Sequence, residues 1–168
     1  MPMLNSILEE RAKRYAKMAQ IEVELTHPLG SGTDGAVWKS DRETAIKVFE
    51  RHANYTIELE CYKRLATASV SEIGRFSVPR LIGYDDELWV LEISIVFPPF
   101  VIDFAKSYLD RPPDFSAEVL ADDEERNREV FEDRWREVKS LLWALRQYGI
   151  YYMDPKPGNI MFEDWPLG

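Results

Sequence analysis

The chain has 168 residues, of which 45% are hydrophobic and 30% charged, and its formal net charge is −9 at pH 7. This length and apolar content suffice for one packed core, and the acidic balance argues against nucleic-acid binding, which requires basic surfaces. The single cysteine, Cys61, excludes an internal disulfide, and no apolar run is long enough to cross a membrane. We therefore expect a cytoplasmic domain that binds neither nucleic acid nor a membrane.

The first predicted element is an amphipathic helix in residues 5–19. Its apolar stripe consists of Leu8, Ala12, Tyr15 and Ala19. Basic side chains flank the stripe, and Ser6 with Glu9 fits a capping box at the start of a helix. We expect residues 1–20 to dock on the domain that follows; binding to a partner and lying on an anionic surface are the alternatives.

Three glycines with a defined spacing come next. Gly30, Gly32 and Gly35 fit the pattern G-x-G-x-x-G, and Val37 follows two residues later. Apolar residues alternate before and after them, which predicts a hairpin between two strands rather than the strand-to-helix turn of a dinucleotide-binding fold. Glycine allows positive φ in tight turns and lets the backbone approach phosphate oxygens closely. The spacing therefore predicts a phosphate-binding hairpin.

A β-rich stretch with one lysine follows the hairpin. Ala45 and Lys47 share one face of this strand, because side chains alternate along it. Lys47 is then either a solvated edge-strand residue or a cation aimed beneath the glycines. The next predicted element is a helix in residues 54–65. On the face of this helix that bears Glu58, apolar residues follow one and two turns later.

The middle of the chain predicts two strands, a break and two helices. The strands are expected in residues 78–84 and 88–92, and the prolines within residues 96–100 then end regular structure. A short helix is expected in residues 102–109, followed by a helix of about 25 residues. The apolar stripe of the long helix consists of Phe131, Trp135, Val138, Leu142 and Leu145.

A polar loop follows the long helix. In Asp154-Pro155-Lys156-Pro157-Gly158-Asn159 a carboxylate, a cation and an amide lie close together. Phosphoryl transfer requires such groups around one phosphate, although a Pro/Gly turn between a helix and a strand would use similar residues. Together with the glycine hairpin and the lysine strand, and in the same order, this loop resembles the nucleotide-handling motifs of the protein kinase superfamily.

The resemblance implies an α+β, protein-kinase-like fold with two lobes. Residues 21–98 would form a five-stranded antiparallel small lobe with one regulatory-type helix. Residues 99–168 would form a reduced helical large lobe, with residues 1–20 attached to the same structural unit. The implied activity is Mg²⁺-dependent transfer of the γ-phosphate of ATP to an unknown protein or small-molecule acceptor. Exposed apolar surface on a reduced lobe also makes a homodimer an expectation.

The resemblance also assigns roles to individual residues. The implied ATP-binding positions are Gly30, Gly32, Gly35, Val37, Ala45, Lys47, Glu58, Leu91, Glu92 and Ile93. Among these, Lys47 would form an ion pair with Glu58, which is preferred because Glu60 faces elsewhere. Leu91 would be the gatekeeper, and Glu92 would open the hinge that binds adenine. The implied catalytic positions are Asp154, Lys156 and Lys47, and the implied metal positions are Asn159 and Asp164.

Several departures from the kinase pattern bear on catalysis. Tyr152 and Met153 replace the usual histidine and arginine. No Asp-Phe-Gly triplet follows Asn159, so a tight turn would have to bring Asp164 back to the metal. Asp103 is expected at the surface, with contact to a ribose as the alternative. A nucleotide-binding pseudokinase that acts as a scaffold or switch is therefore the alternative to an active enzyme.

Overall fold

The computed structural model describes residues 2–166, which form four α-helices and twelve strands. The helices are α1 (Pro2–Ala19), α2 (His52–Thr67), α3 (Ala117–Phe131) and α4 (Trp135–Arg146). The strands are β1 (Val23–Glu24), β2 (Gly30–Gly32), β3 (Gly35–Ser40), β4 (Thr44–Phe49), β5 (Glu72–Ile73), β6 (Phe76–Ser77), β7 (Leu81–Asp85), β8 (Val90–Ser94), β9 (Phe100–Val101), β10 (Tyr108–Leu109), β11 (Ile150–Tyr151) and β12 (Ile160–Met161). The chain is therefore an α+β protein with mainly antiparallel sheets. Within the described residues, no helix has the length and apolar character that crossing a membrane requires.

The central sheet has six strands in the order β1-β3-β4-β8-β7, with β2 also paired to β3. The antiparallel arrangement is as expected, but the expected number of five strands is wrong. The strand before the glycine turn is divided into β1 and β2, and both pieces pair with β3. Val23 lies opposite Ser40 in the first pairing, and Gly30 lies opposite Val37 in the second.

Strand β4 is buried on both faces. On one face, Ala45 and Phe49 join the larger apolar cluster, which includes α2 and much of the second half of the chain. On the other face, Ile46 and Val48 pack in the cluster beneath α1. This alternation agrees with the faces predicted from the sequence. Lys47 consequently points toward the larger cluster, where its ammonium has little water and requires a charged partner.

Helix α1 covers the other face of the sheet. Its buried side chains include Leu8, Ala12, Tyr15 and Ala16. The guanidinium of Arg11 donates hydrogen bonds to the main-chain oxygens of Phe49 at 2.7 Å and Leu88 at 3.0 Å. The helix thus docks on the sheet of its own chain. The predicted capping box of Ser6 and Glu9 is wrong, because the helix already begins at Pro2 and Ser6 lies inside it.

The chain after the two prolines forms short strands, and the helix expected in residues 102–109 is absent from the described structure. Strand β9 pairs antiparallel with β12, with Val101 opposite Ile160. The amide of Ile102 also donates to the main-chain oxygen of Asn159 at 2.8 Å. Asp103 has a positive φ of 66°, which a right-handed helix cannot include, and Tyr108 and Leu109 pair with β11, so residues 102–109 do not form one helix.

The long helix expected before the polar loop is divided into α3 and α4 by a 3₁₀ turn, Glu132–Arg134. Glu132 has a φ of 51°, in the left-handed region that a right-handed helix cannot include. The turn allows Phe131 to stack on both Trp135 and Trp165, with ring centroids 6.0 and 5.8 Å apart. The aromatic stack therefore joins the helix junction to the segment that follows β12.

Candidate active site

The glycine hairpin of β2 and β3 forms one wall of a cleft of about 430 Å³. Of the residues assigned from the sequence, the cleft is lined by Gly30, Gly32, Gly35, Val37, Ala45, Lys47, Glu58, Ile93, Lys156 and Asn159. These residues come from the hairpin, from β4, α2 and β8, and from the polar loop after α4. The size of the cleft lies within the range typical of small-molecule sites.

Two residues assigned to adenine binding lie outside the cleft lining. Leu91 is fully buried in the larger apolar cluster behind it. The side chain of Glu92 points to the opposite face of the sheet, where it accepts hydrogen bonds from Tyr15 at 2.9 Å and Thr44 at 2.7 Å. The part of this edge that lines the cleft begins at Ile93, within β8, and continues through Val96. The roles of Leu91 and Glu92 stay predictions.

Asp164 does not reach the cleft either. Its carboxylate accepts a hydrogen bond from the guanidinium of Arg134 at 2.6 Å, and its side chain is largely exposed. The neighbouring Trp165 stacks on Phe131 and holds this turn against the junction of α3 and α4. The assignment of Asp164 to a metal site is therefore wrong, because the turn after β12 faces the helices and not Asn159.

Lys47 and Glu58 form a buried ion pair at the back of the cleft. The ammonium Nζ of Lys47 lies 2.8 Å from Oε2 and 3.0 Å from Oε1 of Glu58. Lys47 is 8% exposed and Glu58 is fully buried. Glu60 faces away and accepts a hydrogen bond from Arg64 at 3.0 Å. The helical spacing therefore distinguished the two glutamates as the sequence predicts.

Burial dominates the ionisation of Glu58. It raises the pKa of Glu58 to about 7. The positive charge of Lys47 acts to lower this pKa, and the negative charge of Asp103 acts to raise it further. Burial also acts to lower the pKa of Lys47, but attraction to Glu58 and Asp103 outweighs it, and the net pKa is raised. Lys47 therefore remains charged at neutral pH, and Glu58 is the member of the pair whose protonation changes near neutrality.

Asp103 is a third charged group in this cluster, at a place where the sequence predicts a surface residue. Its Oδ1 accepts a hydrogen bond from Lys47 Nζ at 3.3 Å, and it lines the cleft beside Asn159. The pairing of β9 with β12 brings Asp103 and Asn159 together, since each adjoins one of these strands. Asp103 has a φ of 66°, which is uncommon outside glycine and occurs often at functional sites.

A signal for Asp103 is present in the sequence. Asp103-Phe104-Ala105 differs only in its last residue from the Asp-Phe-Gly triplet of the kinase pattern. It also follows the apolar residues 100–102, as a residue at the end of a buried strand does. The kinase pattern has this triplet after the asparagine of the catalytic loop, whereas in this chain it precedes the polar loop and meets it only through strand pairing.

The polar loop fixes its own carboxylate and amide. Asn159 Nδ2 donates to Oδ2 of Asp154 at 3.1 Å and to its main-chain oxygen at 3.2 Å. The Nζ atom of Lys156 lies 3.3 Å from the same Oδ2 atom. Asp154 lines a second groove, between α3, α4 and residues 153–157, and Lys156 lines both this groove and the cleft. The loop thus separates two cavities that share one lysine.

The donor set can be compared with the needs of a divalent cation. Among residues 2–166 there is no group of three or more His, Cys, Asp and Glu side chains suited to a metal. Asp103 contributes a carboxylate to the cleft, and Asn159 retains its amide oxygen because its nitrogen is the atom bonded to Asp154. Two such hard oxygen ligands fit Mg²⁺, which commonly uses one or two protein groups together with phosphates and water.

Comparisons with known proteins assign no family to the chain. No protein-family model matches it. No curated protein matches it either. The geometry of the cleft, and the order of the motifs around it, therefore carry the functional argument.

The three hairpin glycines should respond differently to substitution by alanine. A Cβ atom on Gly35, which has a φ of 141°, would lie 2.0 Å from the main-chain oxygen of Val48. At Gly30 and Gly32 a Cβ atom would meet nothing within 4 Å. We expect Gly35→Ala to lower the free energy of unfolding by about 2 kcal/mol or more, measured by urea denaturation. Gly30→Ala should stay near the wild-type value, and equal losses in both variants would contradict this structure of the turn.

The raised pKa of Glu58 predicts a pH dependence of stability. Between the ordinary pKa of 4.5 and about 7, the native protein keeps a proton that the unfolded chain has released. The free energy of unfolding therefore falls as the pH rises through this window, relative to Glu58→Gln, which has no such proton. We expect a relative change on the order of 3 kcal/mol, measured by urea denaturation at several pH values. Parallel pH profiles for the two proteins would contradict the raised pKa.

Proposed function

We propose that this protein is a protein-kinase-like phosphotransferase that binds ATP with Mg²⁺ and transfers its γ-phosphate to an acceptor. The observation that carries the proposal is the convergence of the glycine hairpin, the buried Lys47–Glu58 pair, Asp103 and Asn159 on one cleft. The hairpin leaves open space at Gly30 and Gly32. This open space supports a site in which a phosphate group approaches the main chain of the hairpin, because no side chain on these glycines stands in the way.

The proposed roles of the residues follow from their positions. Lys47, held by Glu58, binds the inner phosphates, because a buried and fixed cation loses little entropy on contact with the ligand. Asp103 and Asn159 hold Mg²⁺, which supplies charge neutralisation at the phosphates. Ile93 and the backbone that follows it in β8 border the base.

The proposed acceptor approaches from the second groove. Asp154 lines that groove and orients or accepts the proton of the acceptor hydroxyl, while Asn159 holds the carboxylate in place through a hydrogen bond of 3.1 Å. Lys156 lines both cavities and is placed to contact the phosphoryl group as it passes between them. The acceptor is a protein or a small molecule with a hydroxyl group.

The proposal is tested first by binding and then by transfer. The melting temperature of the wild-type chain should rise with ATP in the presence of Mg²⁺, because a ligand that binds only the native state stabilises it. Transfer of label from γ-labelled ATP to panels of hydroxyl peptides and small alcohols should then be lost in Asp154→Ala, with binding retained. Absence of any thermal shift would contradict ATP binding. Binding without transfer to any acceptor would identify a nucleotide-binding pseudokinase instead.

A further inference from the structure

Lys106 is a cation of the cleft that the kinase motifs do not explain. It follows Asp103 by three residues and lines the cleft together with the glycine hairpin. Its Nζ atom lies 3.7 Å from Oδ2 of Asp34, in the turn of the hairpin, and 3.8 Å from Oδ2 of Asp154. Lys106 thus stands between the carboxylate of the hairpin and the carboxylate of the polar loop.

The contacts of Lys106 are weak compared with those of its neighbours. Both distances exceed the range of a hydrogen bond, and its side chain is 46% exposed. Lys47, by contrast, makes contacts of 2.8 and 3.0 Å with Glu58. The amide of Ser107 donates to the main-chain oxygen of Phe104 at 3.0 Å, which fixes the backbone around Lys106. The ammonium can therefore move to a new partner without rearrangement of the main chain.

The charge balance of the cleft calls for such a cation. Its lining has three lysines, Lys47, Lys106 and Lys156, and three carboxylates, Asp34, Glu58 and Asp103. A triphosphate carries more negative charge than one bound Mg²⁺ would neutralise, so a lysine that turns from these carboxylates to the phosphates is favoured. Lys47 is already shared by two of the carboxylates. Lys106 has the longest ion-pair distances of the three lysines. Moving its ammonium to a phosphate therefore loses the least Coulomb energy with the carboxylates.

We propose that Lys106 binds the terminal phosphate of the nucleotide and makes the site selective for a triphosphate. This inference rests on the proposed function. The terminal phosphate is the group concerned because Lys106 lies beside Asp154, where the acceptor hydroxyl is held. Departure of the ammonium from Asp34 and Asp154 also removes one of the two lysines beside the carboxylate of Asp154, the other being Lys156. Lys106 is thus a binding residue that contacts the nucleotide only when the terminal phosphate is present.

The test is calorimetric titration of ATP, ADP and AMP, each with Mg²⁺, into the full chain. The wild type should bind ATP most tightly. Lys106→Met should weaken ATP binding about tenfold, because a charge-assisted contact is lost, and should leave AMP binding unchanged. Lys106→Arg should restore most of the ATP affinity. Lys106→Gln repeats the test if the methionine variant does not fold.

Lys39 provides the matched control. It lies on β3 outside the cleft lining and pairs with Glu43 at 2.8 Å, and its side chain is 39% exposed. Lys39→Met should leave the affinity for all three nucleotides unchanged. Equal losses for ATP, ADP and AMP in Lys106→Met, or no loss for ATP, would overturn the role of Lys106 alone. A wild-type chain that binds none of the nucleotides would overturn the proposed function as well.

Discussion

Replacing Asp103 with asparagine should lower the affinity for ATP with Mg²⁺ about 100-fold, because the proposed metal site loses the negative charge of its carboxylate ligand. The substitution preserves the size of the side chain and leaves the Lys47–Glu58 pair in place. Affinity for ATP without Mg²⁺ should change little or rise, since a negative charge near the phosphates is removed. Calorimetric titration of ATP at fixed Mg²⁺, and in its absence with a chelator, measures both quantities.

Asp164→Asn is the control that separates the structure from the kinase pattern. Asp164 pairs with Arg134 at the surface, so its loss should cost at most about 1 kcal/mol of stability and leave the affinity for ATP with Mg²⁺ unchanged. If Asp164→Asn abolished the Mg²⁺-dependent affinity and Asp103→Asn did not, the metal would have to lie near the turn after β12. The proposal that Asp103 and Asn159 hold the metal would then be incorrect.

Replacing Glu58 with alanine should lower the free energy of unfolding by about 3 to 5 kcal/mol at pH 8, because Lys47 is left buried beside a single partly exposed carboxylate. ATP affinity should fall together with stability, since Lys47 is no longer held in position. Urea denaturation gives the first quantity and calorimetric titration the second. Replacement of Lys47 and Glu58 together by methionine should recover most of the stability, because no unpaired buried charge remains, while ATP affinity stays low.

Glu60→Ala is the matched control on the same helix. Glu60 is 43% exposed and pairs with Arg64 one turn later, so its loss should cost less than about 1 kcal/mol. A Glu58→Ala variant that is no less stable than Glu60→Ala would show that the buried pair does not form. A double methionine variant with normal ATP affinity would show that the pair serves the core alone.

Local patterns in the sequence predict those parts of the site that local structure positions. Alternation along β4 is enough to put Lys47 on the same face as Ala45, and the 3.6-residue period of α2 is enough to choose Glu58 over Glu60. The glycine hairpin is likewise determined by residues adjacent in the chain. For these elements, contacts distant in sequence only reinforce what neighbouring residues already favour.

The errors arise where distant segments decide. Asp103 belongs to the site because β9 pairs with β12, and neither strand has more than two residues from which to infer the pairing. The sequence predicts the end of β8 at residue 92, whereas the strand continues to Ser94, because strand ends depend on tertiary packing. Asp164 is drawn away by Arg134 and by the stacking of Trp165, which no local pattern indicates.

The pairing of β9 with β12 also has a consequence for the newly made chain. During synthesis, the hairpin, the lysine strand and Asp103 emerge from the ribosome well before β12. Tyr152, whose hydroxyl donates a hydrogen bond to the main-chain oxygen of Ile102, lies 50 residues after Ile102 in the chain. Until that later segment arrives, Asp103 lacks the neighbouring strand that brings Asn159 to it. Closing so long a loop carries an entropic cost, which the native contacts offset only once they have formed. A nascent chain would thus acquire the hairpin and lysine strand of the proposed phosphate site early, and the paired oxygen groups proposed to hold the metal last.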